Sequence, residues 1–493
     1  MALVDQDLRA AIAVTRFGLG ARPGEIAEAR RDPHGFLRAQ IRREGADQPA
    51  GAAQAGSSQR LAEFRQYRQE RRAARVQKTS MAADDAKRPG EGKDDARDPV
   101  KIVGRMLRQD IGSDFGARIQ LAAATDAGFR ERWANFWANH FTVSATKAIT
   151  GTVVGPFETE AIRPHAFGRF ADLLGAVETH PAMLTYLDQV QSIGPNSQAA
   201  EFLKTGGNRR GTGQARLQRI ANRSAGLNEN LAREILELHT LGVGGGYTQA
   251  DVTEFARAMT GLSLGGPRDP ASVAGSALFR AQAHEPGERT VMGVRYPSGG
   301  REQAGAILSD LAAKPATARF LCTKIARHFV ADEPPPALVA RLEAAWKASD
   351  GDLAKVAEAL IAAPEAWRPT PAKFKTPYEF VVSSYRAAGG QPDAFNKVAP
   401  ILTALGQKPF SPPSPKGWAE DAQSWAAPDA IVKRMQFAQA FSGAAVRDRD
   451  PNLLAADALG ARLSSETAKA VARSESRAEG FALLLMSPEF QRR

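Results

Sequence analysis

Apolar residues recur every three or four positions along most of the readable chain, a pattern that predicts helices. In 127–142 the residues Phe129, Trp133, Phe136 and Trp137 form one stripe, which His140 continues. A strand would need strict alternation of apolar and polar positions instead. Helices are predicted over 127–142, 166–178, 226–242, 248–260, 301–313, 315–330, 336–348, 352–362, 376–388, 397–405, 429–445 and 465–486.

Residues typical of helix ends support two of these helices. Asn228 is a plausible N-cap for 226–242, which Gly242 ends, with Leu231, Ile235 and Leu238 facing the core. Thr248 followed three residues later by Asp251 predicts a capping box at the start of the next helix.

Strand signals are short and sparse, as in 289–296. The fold class is therefore predicted to be mainly α: one large helical domain with long polar loops and insertions and few or no strands. Long polar loops are expected at about 46–99, 190–225, 262–300 and 406–428. The helical domain is predicted to comprise 1–45 and 100–493, with a polar, flexible insertion at 46–99 and a basic loop insertion at 199–225.

The Pro-rich stretch 408–416 cannot be helical. Trp418 and Trp425 follow it closely. We expect an ordered, extended crossing that these tryptophans hold in place.

The 65 Lys and Arg residues exceed the 54 Asp and Glu residues by 11, which suggests an anionic partner. Residues 60–78 hold seven basic and two acidic residues, and 199–223 hold six and one, so each stretch carries +5. The remaining chain has 52 basic and 51 acidic residues and is nearly neutral. Since few aromatic residues accompany the basic ones, nucleic-acid binding is the weakest functional hypothesis.

One cysteine, Cys322, excludes an internal disulfide framework and a multi-cysteine zinc site. The first residues show no signal peptide, and no apolar run is long enough to span a membrane. The expected location is the cytoplasm, with co-export to the periplasm beside a partner as the alternative.

No phosphate-binding loop, Gly-x-Ser-x-Gly elbow or His-Glu-x-x-His zinc helix occurs. Chemistry would then rest on the few histidines and an Asn/Glu-rich helix. His140 is either a hydrogen-bonded core histidine or a catalytic or metal-binding residue. Asn230, Glu234 and Glu237 share one helix face, where Arg233 could form an ion pair with Glu237.

Several motifs occur together along the chain. They include Trp133-Ala-Asn-Phe-Trp-Ala-Asn-His-Phe141, Asn228-Glu-Asn-Leu-Ala-Arg-Glu234, His284-Glu-Pro-Gly287 and Arg327-His-Phe-Val330. In this order they resemble the bacterial family called domain of unknown function 1800, over about residues 8 to 491. The resemblance implies a helical protein without an assigned activity. It also implies a packing role for His239, because family members often have Phe there.

The resemblance suggests a partner as well, since such proteins are often encoded beside a sulfatase-like family, domain of unknown function 1501. The first hypothesis is a binding or assembly partner of such an envelope-associated protein. The alternative is an enzyme with a His/Glu/Asn pocket, with a divalent metal as candidate cofactor. Catalytic candidates are His140, Glu234, Glu237 and His284; binding candidates are Asn139, Asn228, Asn230, Arg233 and His328; metal candidates are His140, Glu237 and His284.

Overall fold

The computed structural model describes residues 2–53, 55–84, 99–205, 226–266, 269–392, 394–446 and 448–493. Across these residues the chain is mainly α-helical, as the periodicity predicts. The predicted basic loop insertion at 199–225 lies largely outside the described residues, because the structure covers it only in the short helix Gln198–Thr205.

The first half of the chain contains the helix with the aromatic stripe, α6, and twelve other described helices. They are α1 Ala2–Ile12, α2 Glu25–Ala29, α3 Pro33–Arg38, α4 Ser57–Asp84, α5 Pro99–Ala124, α6 Gly128–His140, α7 Ala148–Gly151, α8 Val154–Phe157, α9 Phe170–Glu178, α10 Pro181–Tyr186, α11 Gln198–Thr205, α12 Asn230–Glu234 and α13 Gln249–Met259.

Helices of the second half follow the predicted bounds to within a few residues, except near the C-terminal end. They are α14 Arg301–Ala313, α15 Pro315–Phe329, α16 Pro336–Ala348, α17 Leu353–Ala362, α18 Pro377–Ala387, α19 Phe395–Ala404, α20 Ala422–Trp425, α21 Pro428–Ala445, α22 Pro451–Leu459, α23 Ser465–Ala472, α24 Arg477–Met486 and α25 Pro488–Gln491. The single helix predicted over 465–486 is two helices, with Ser476 capping the second.

Three segments are wound as π-helix: Ala13–Phe17, Glu158–Ile162 and Ile235–Thr240. The third one shifts the inward face of the helix predicted over 226–242, because a π-turn holds more residues than an α-turn. Leu231 and Ile235 are buried as predicted. Leu238 is only half-buried, and His239 takes the fully buried position instead.

The described strands form two small antiparallel ladders within 262–300. Strand β1 Leu262–Leu264 pairs with β2 Ala277–Phe279, and β3 Arg289–Val291 pairs with β4 Val294–Tyr296. Met292 and Gly293 both have positive φ between β3 and β4, which is the conformation of a two-residue type I′ hairpin turn. The strand signal at 289–296 is confirmed.

The segment Ser57–Asp84 is helical where a polar loop was expected. Its apolar positions are few, but Leu61 and Phe64 are buried. Arg60 forms a buried, two-contact ion pair with Asp114 of α5 at 2.6 and 3.0 Å. This tertiary contact has no counterpart in the local sequence pattern, which explains why the helix was missed. The proposed division of the chain into domain and insertion stays a prediction.

Two large hydrophobic clusters make up most of the core. The larger one is built on the stripe of α6, where Phe129, Trp133, Phe136 and Trp137 are at most 1% exposed. The second cluster joins α5, α18, α19 and the C-terminal helices, and it includes Phe115, Tyr378 and Phe410. The boundary between the two clusters contains the cavity described next.

Candidate functional site

A cavity of about 100 Å³ lies where the two hydrophobic clusters meet. Ligand sites are common at such internal boundaries. Its wall is formed by residues of α5, α6, α8, α15, α18 and α19 together with the extended crossing 407–420. The polar side chains on this wall are Arg118, Asn135, Asn139, Thr142, Glu158, His328, Thr376, Tyr378, Glu379, Gln407, Lys408 and Glu420.

His328 and Glu420 form a short contact at this wall. Nδ1 of His328 lies 2.5 Å from Oε1 of Glu420. Burial would raise the pKa of Glu420, but His328 and the nearby Lys324 outweigh it and lower that pKa to about 2. The carboxylate is therefore ionised and can only accept, so Nδ1 of His328 carries the donated hydrogen.

The other ring nitrogen of His328 is free. Nε2 has no hydrogen-bond partner among the described residues, although the side chain is about nine-tenths buried. Burial lowers the pKa of His328 and outweighs the opposing effect of Glu420. The ring is then neutral at physiological pH, with a lone pair on Nε2.

Glu379 is fixed by cations behind the cavity wall. It forms ion pairs with Arg132 and with Arg493, whose Nη2 lies 3.0 Å from Oε1. Its other oxygen accepts from the backbone N–H of Thr376 at 2.9 Å, which completes a capping box at the start of α18. Burial would raise the pKa of Glu379, but Arg493 and Arg132 hold it well below its usual range.

Asn135 is oriented by Arg118. Nε and Nη2 of Arg118 both donate to Oδ1 of Asn135, at 3.2 and 2.8 Å. Because the oxygen is identified by these donors, the other atom is the NH₂ group. That Nδ2 has no partner within the described part of the chain. Nη1 of Arg118 also pairs with Glu158 at 3.1 Å, while burial raises the pKa of this carboxyl.

Tyr378 contributes a third free polar atom. Its hydroxyl is buried, without a hydrogen-bond partner in the described residues, and the guanidinium of Arg118 lies 5.1 Å from the centre of its ring. Burial raises the pKa of this phenol, so the group stays a neutral O–H donor.

Asn139 holds the extended crossing against α6. Its Nδ2 donates to the carbonyl of Trp418 at 3.0 Å, and its Oδ1 accepts from the N–H of the same residue at 2.8 Å. Gly417 has φ of 86°, and a Cβ there would lie 2.4 Å from the carbonyl oxygen of Asn139. Because Glu420 follows Trp418 by two residues, Asn139 thereby positions Glu420. The expected ordered crossing is observed.

His140 lies behind the site on the same helix and is fully engaged. Its Nε2 faces the carbonyl of His239 at 3.2 Å, and Nζ of Lys324 lies 2.9 Å from its Nδ1. Burial, followed by Lys324, lowers the pKa of His140 well below its usual range. Burial also lowers the pKa of Lys324 to about 8. This neutral imidazole accepts at Nδ1 from the lysine and donates at Nε2 to the carbonyl.

His239, for which the resemblance implied packing, faces a carboxylate. Its Nδ1 lies 2.7 Å from Oε1 of Glu178, and both side chains are fully buried. A phenylalanine at this position would leave Glu178 without that contact.

The remaining histidine candidate, His284, contacts backbone carbonyls near its own segment of the chain. Its Nδ1 faces the carbonyl of Thr260 at 2.9 Å and its Nε2 faces that of Gly299 at 2.8 Å. It shares no hydrogen-bond partner with His140 among the described residues. The structure therefore does not join the two histidines through a common contact.

The Asn/Glu-rich helix makes mainly local contacts. Asn228 donates to the carbonyl of Leu187 and accepts from the N–H of Asn230, while the side chain of Asn230 is exposed. The N-cap position is Glu229, so Asn228 lies one residue before the cap. Arg233 pairs with Glu229 at 3.1 Å, so the suggested pair with Glu237 is wrong. The better-placed acceptor is one turn earlier on the same helix face.

The two acidic candidates on this helix lie outside the cavity. Glu237 accepts from the hydroxyl of Tyr247 at 3.4 Å. Burial raises the pKa of Glu234. Neither side chain lines the cavity at the cluster boundary, so their catalytic role stays a prediction.

Within the described ranges, no three His, Cys, Asp or Glu side chains are grouped so as to hold a metal ion. His140, Glu237 and His284 are thus no ligand set there, and metal dependence stays a prediction from the sequence. None of the described helices is both long and apolar enough to cross a bilayer.

Of the predicted residues, the structure brings Asn139 and His328 together at the cavity. Sequence reasoning missed Arg118, Asn135, Glu158, Tyr378, Glu379 and Glu420. Asn135 precedes Asn139 by four residues, so it repeats one turn earlier on the same face of α6. The Thr376-x-x-Glu379 spacing is a readable capping box. Glu420 carried no local signal, because its relation to His328 spans 92 residues.

Comparison with protein families matches residues 12–492 to the family described as protein of unknown function (DUF1800). No curated protein and no solved structure matches the chain. The family match extends over nearly all of the helical architecture and includes the cavity. The chain therefore belongs to the DUF1800 family, whose function is unknown.

Proposed function

We propose that this chain is an enzyme that performs acid–base chemistry on a small molecule held in the cavity. The observation that carries the proposal is the pair His328 and Glu420: Nδ1 of the histidine is fixed on a carboxylate, Nε2 has no described partner, and the residue lines the cavity. A base oriented by a third group is the arrangement that catalytic histidines share.

In this arrangement Nε2 of His328 accepts a proton from the bound molecule or from water. The imidazolium that forms is stabilised by Glu420, which stays ionised because its pKa is about 2. Asn135 and Tyr378 supply hydrogen-bond donors for an oxygen of the reacting molecule. This pocket differs from the one in the sequence hypothesis, which joined His140 and His284 with Glu234 or Glu237, because it is centred on His328 and Glu420.

The test uses substrates that report proton transfer directly. The chain is incubated in D₂O with small keto and hydroxy compounds, and exchange at carbon is followed by ¹H NMR; hydrolysis of 4-nitrophenyl acetate is followed by absorbance. We expect turnover by the wild-type chain and a loss of about 100-fold or more in His328→Gln. His165→Gln, a partly buried histidine away from the cavity wall, is the matched control.

Chemical rescue makes the test specific for a base. In His328→Ala, added imidazole should restore part of the lost turnover, with a pH profile that follows the added base. Absence of turnover by the wild-type chain, or full turnover by His328→Gln, contradicts the proposal.

The assembly-partner hypothesis has an observation of its own. On α21, Val432 and Met435 are 52% and 46% exposed. Outside the part of α21 that these two residues occupy, Ile401, Leu405, Phe437 and Phe441 contribute to an apolar groove of about 370 Å³ between α19 and α21. Exposed apolar surface of this kind is typical of protein–protein contacts.

As a second candidate function, we propose that this face binds a protein of the sulfatase-like family named above. The tagged chain is mixed with such a protein encoded beside it, and complex formation is measured by analytical ultracentrifugation. Ala440→Glu, at an exposed residue that lines the groove, should weaken the complex at least tenfold, whereas Leu483→Glu, at an exposed apolar residue on another helix, should not. No complex, or equal binding by Ala440→Glu, contradicts this candidate.

A further inference from the structure

The backbone of His328 is held by a buried arginine. His328 lies in the last turn of α15, where the backbone carbonyls have no donor within the helix. Nη1 of Arg493 donates to the carbonyl of His328 at 2.6 Å. Nη2 of the same guanidinium pairs with Glu379 at 3.0 Å, and the side chain of Arg493 is 2% exposed. One cation therefore joins the peptide group of the proposed base to a fixed carboxylate.

The backbone of Glu420 is held in the same way by a second buried cation. Nζ of Lys373 donates to the carbonyl of Glu420 and to Oδ1 of Asp332. Oδ2 of Asp332 accepts from the backbone N–H of Ala422 at 2.9 Å, two residues after Glu420. The side chain of Lys373 is fully buried. The chain is thus held at Glu420 and directly after it by groups outside the crossing.

The two cations are joined through their own backbones. The N–H of Lys373 donates to the carbonyl of Arg493 at 3.3 Å, and the N–H of Arg493 donates to the carbonyl of Lys373 at 2.9 Å. Phe374 and Arg492 form the antiparallel bridge beside these bonds. His328 and Glu420 are therefore both attached to one short ladder, although 92 residues separate them in the chain.

We propose that Lys373 and Arg493 are positioning residues, which hold the peptide groups of Glu420 and His328 at the separation that lets Nδ1 donate to the carboxylate. The proposal rests on the proposed function, since it concerns the same base. A hydrogen bond weakens steeply as its distance and angle depart from the optimum, so the pair depends on where its two backbones lie. Lys373 and Arg493 do not line the cavity, so they act through the pair and not on the substrate.

A purely structural role for these cations predicts lost stability without any change at His328. A positioning role predicts that the imidazole itself changes, because a displaced Glu420 no longer favours the hydrogen on Nδ1. The protonation of the two ring nitrogens is therefore the decisive observable, and it can be measured without a substrate.

The full chain is labelled with ¹⁵N-histidine, and the imidazole nitrogens are observed by long-range ¹H–¹⁵N NMR. The signals of His328 are assigned by their loss in His328→Gln. In the wild type we expect a protonated Nδ1 and an unprotonated Nε2. In Lys373→Met the population of the Nδ1-protonated form should fall at least twofold.

Asp332→Asn is a second, milder variant of the same contact. Asparagine keeps the size of the side chain but has one acceptor oxygen, so it cannot accept from both Lys373 and Ala422. We expect a change of the His328 signals in the same direction as in Lys373→Met. Circular dichroism selects the folded variants, and Asp332→Asn decides the outcome if Lys373→Met does not fold.

Two controls separate positioning from a general loss of contacts. Nζ of Lys147 also joins a carbonyl and a carboxylate, those of Tyr186 at 2.9 Å and Asp188 at 2.8 Å, but Lys147 does not line the cavity. Arg462 is a buried arginine that donates to Thr15. Lys147→Met and Arg462→Met should leave the His328 signals as they are in the wild type.

Turnover gives an independent measurement. With any substrate that the wild type converts, Lys373→Met should lower kcat about 10-fold and leave KM within twofold, because the lysine does not touch the substrate. Wild-type His328 signals in the folded variants of Lys373 and Asp332 overturn the proposal, as do equal signal changes in the two controls.

The positioning role and the proposed function fail separately. Altered His328 signals in Lys373→Met, with no turnover by the wild type, contradict the enzyme and support the positioning role. Turnover that is lost in His328→Gln, but kept in Lys373→Met together with wild-type His328 signals, contradicts the positioning role and supports the base.

Discussion

Nδ1 of His328 and Oε1 of Glu420 lie 2.5 Å apart, although 92 residues separate them in the chain. His328 lies one residue before the end of helix α15, and Glu420 lies on the crossing that Asn139 holds against α6. The contact therefore depends on three parts of the chain at once. It fixes one nitrogen of the imidazole of a residue that lines the cavity, which is the basis of the proposed function.

The ionised state of Glu420 predicts acid sensitivity. A carboxylate whose pKa falls from 4.5 to about 2 on folding stabilises the protein above pH 4.5, and this contribution is lost as the pH falls through about 2. Glu420→Gln should lower the free energy of unfolding at pH 7 by about 2 kcal/mol, the value of one hydrogen bond to a charged group, because His328 is neutral at that pH and adds no ion pair. It should also make the free energy of unfolding less dependent on pH between pH 4.5 and 2.

Urea denaturation between pH 2 and 7 measures this effect. Glu44→Gln, an exposed glutamate, serves as the control. If the unfolding free energies of Glu420→Gln and of the wild type change with pH in the same way across this range, the assignment of an ionised carboxylate at Glu420 is wrong.

The clamp between Asn139 and Trp418 should matter for both stability and site geometry. Asn139→Ala removes two hydrogen bonds and leaves a backbone N–H and C=O of the crossing unpaired, at a cost of about 2 kcal/mol. Denaturant unfolding measures this cost, with exposed Asn396→Ala as the control. Since Glu420 follows the clamp, the ¹⁵N resonances of His328 should also shift in Asn139→Ala, and unchanged resonances would argue against a positioning role.

The buried pair Glu178 and His239 predicts a measurable coupling free energy. His239→Phe removes the side chain nearest the buried carboxyl of Glu178 and should cost about 1–3 kcal/mol, because the two groups are 2.7 Å apart but make no well-aligned hydrogen bond. Glu178→Leu combined with His239→Phe should recover much of this loss, because both polar groups are then gone. The unfolding free energies of the wild type, the two single variants and the double variant form a double-mutant cycle. Additive effects in this cycle would show that the two residues are not coupled.

Lys324 should titrate near neutrality. Burial lowers its pKa from 10.5 to about 8, so its amine is partly neutral under ordinary conditions. The NMR signal of its ¹³Cε, assigned by its loss in Lys324→Gln, should shift with a midpoint near pH 8. The unfolding free energy of the wild type relative to Lys324→Gln should also rise between pH 8 and 10.5, because the unfolded chain binds the proton more tightly. A midpoint near 10.5 would contradict the burial of this amine.

The sequence by itself determined the helical class and the positions of about half of the described helices. The stripe Phe129, Trp133, Phe136 and Trp137 predicts both α6 and its buried face, because local periodicity encodes which side of a helix avoids water. The capping box of Thr248 and Asp251 is confirmed as well. These features depend on residues within a few positions of one another.

The tertiary structure alone decided how those helices come together as a site. The ion pair between Arg60 and Asp114 joins the helix Ser57–Asp84 to α5. The π-turn at Ile235–Thr240 places His239 in the buried position that the periodicity predicts for Leu238. The cavity combines Asn135, His328, Tyr378 and Glu420 from distant segments. Such contacts depend on how whole helices pack and on which buried charges find partners, and neither is encoded in a local spacing.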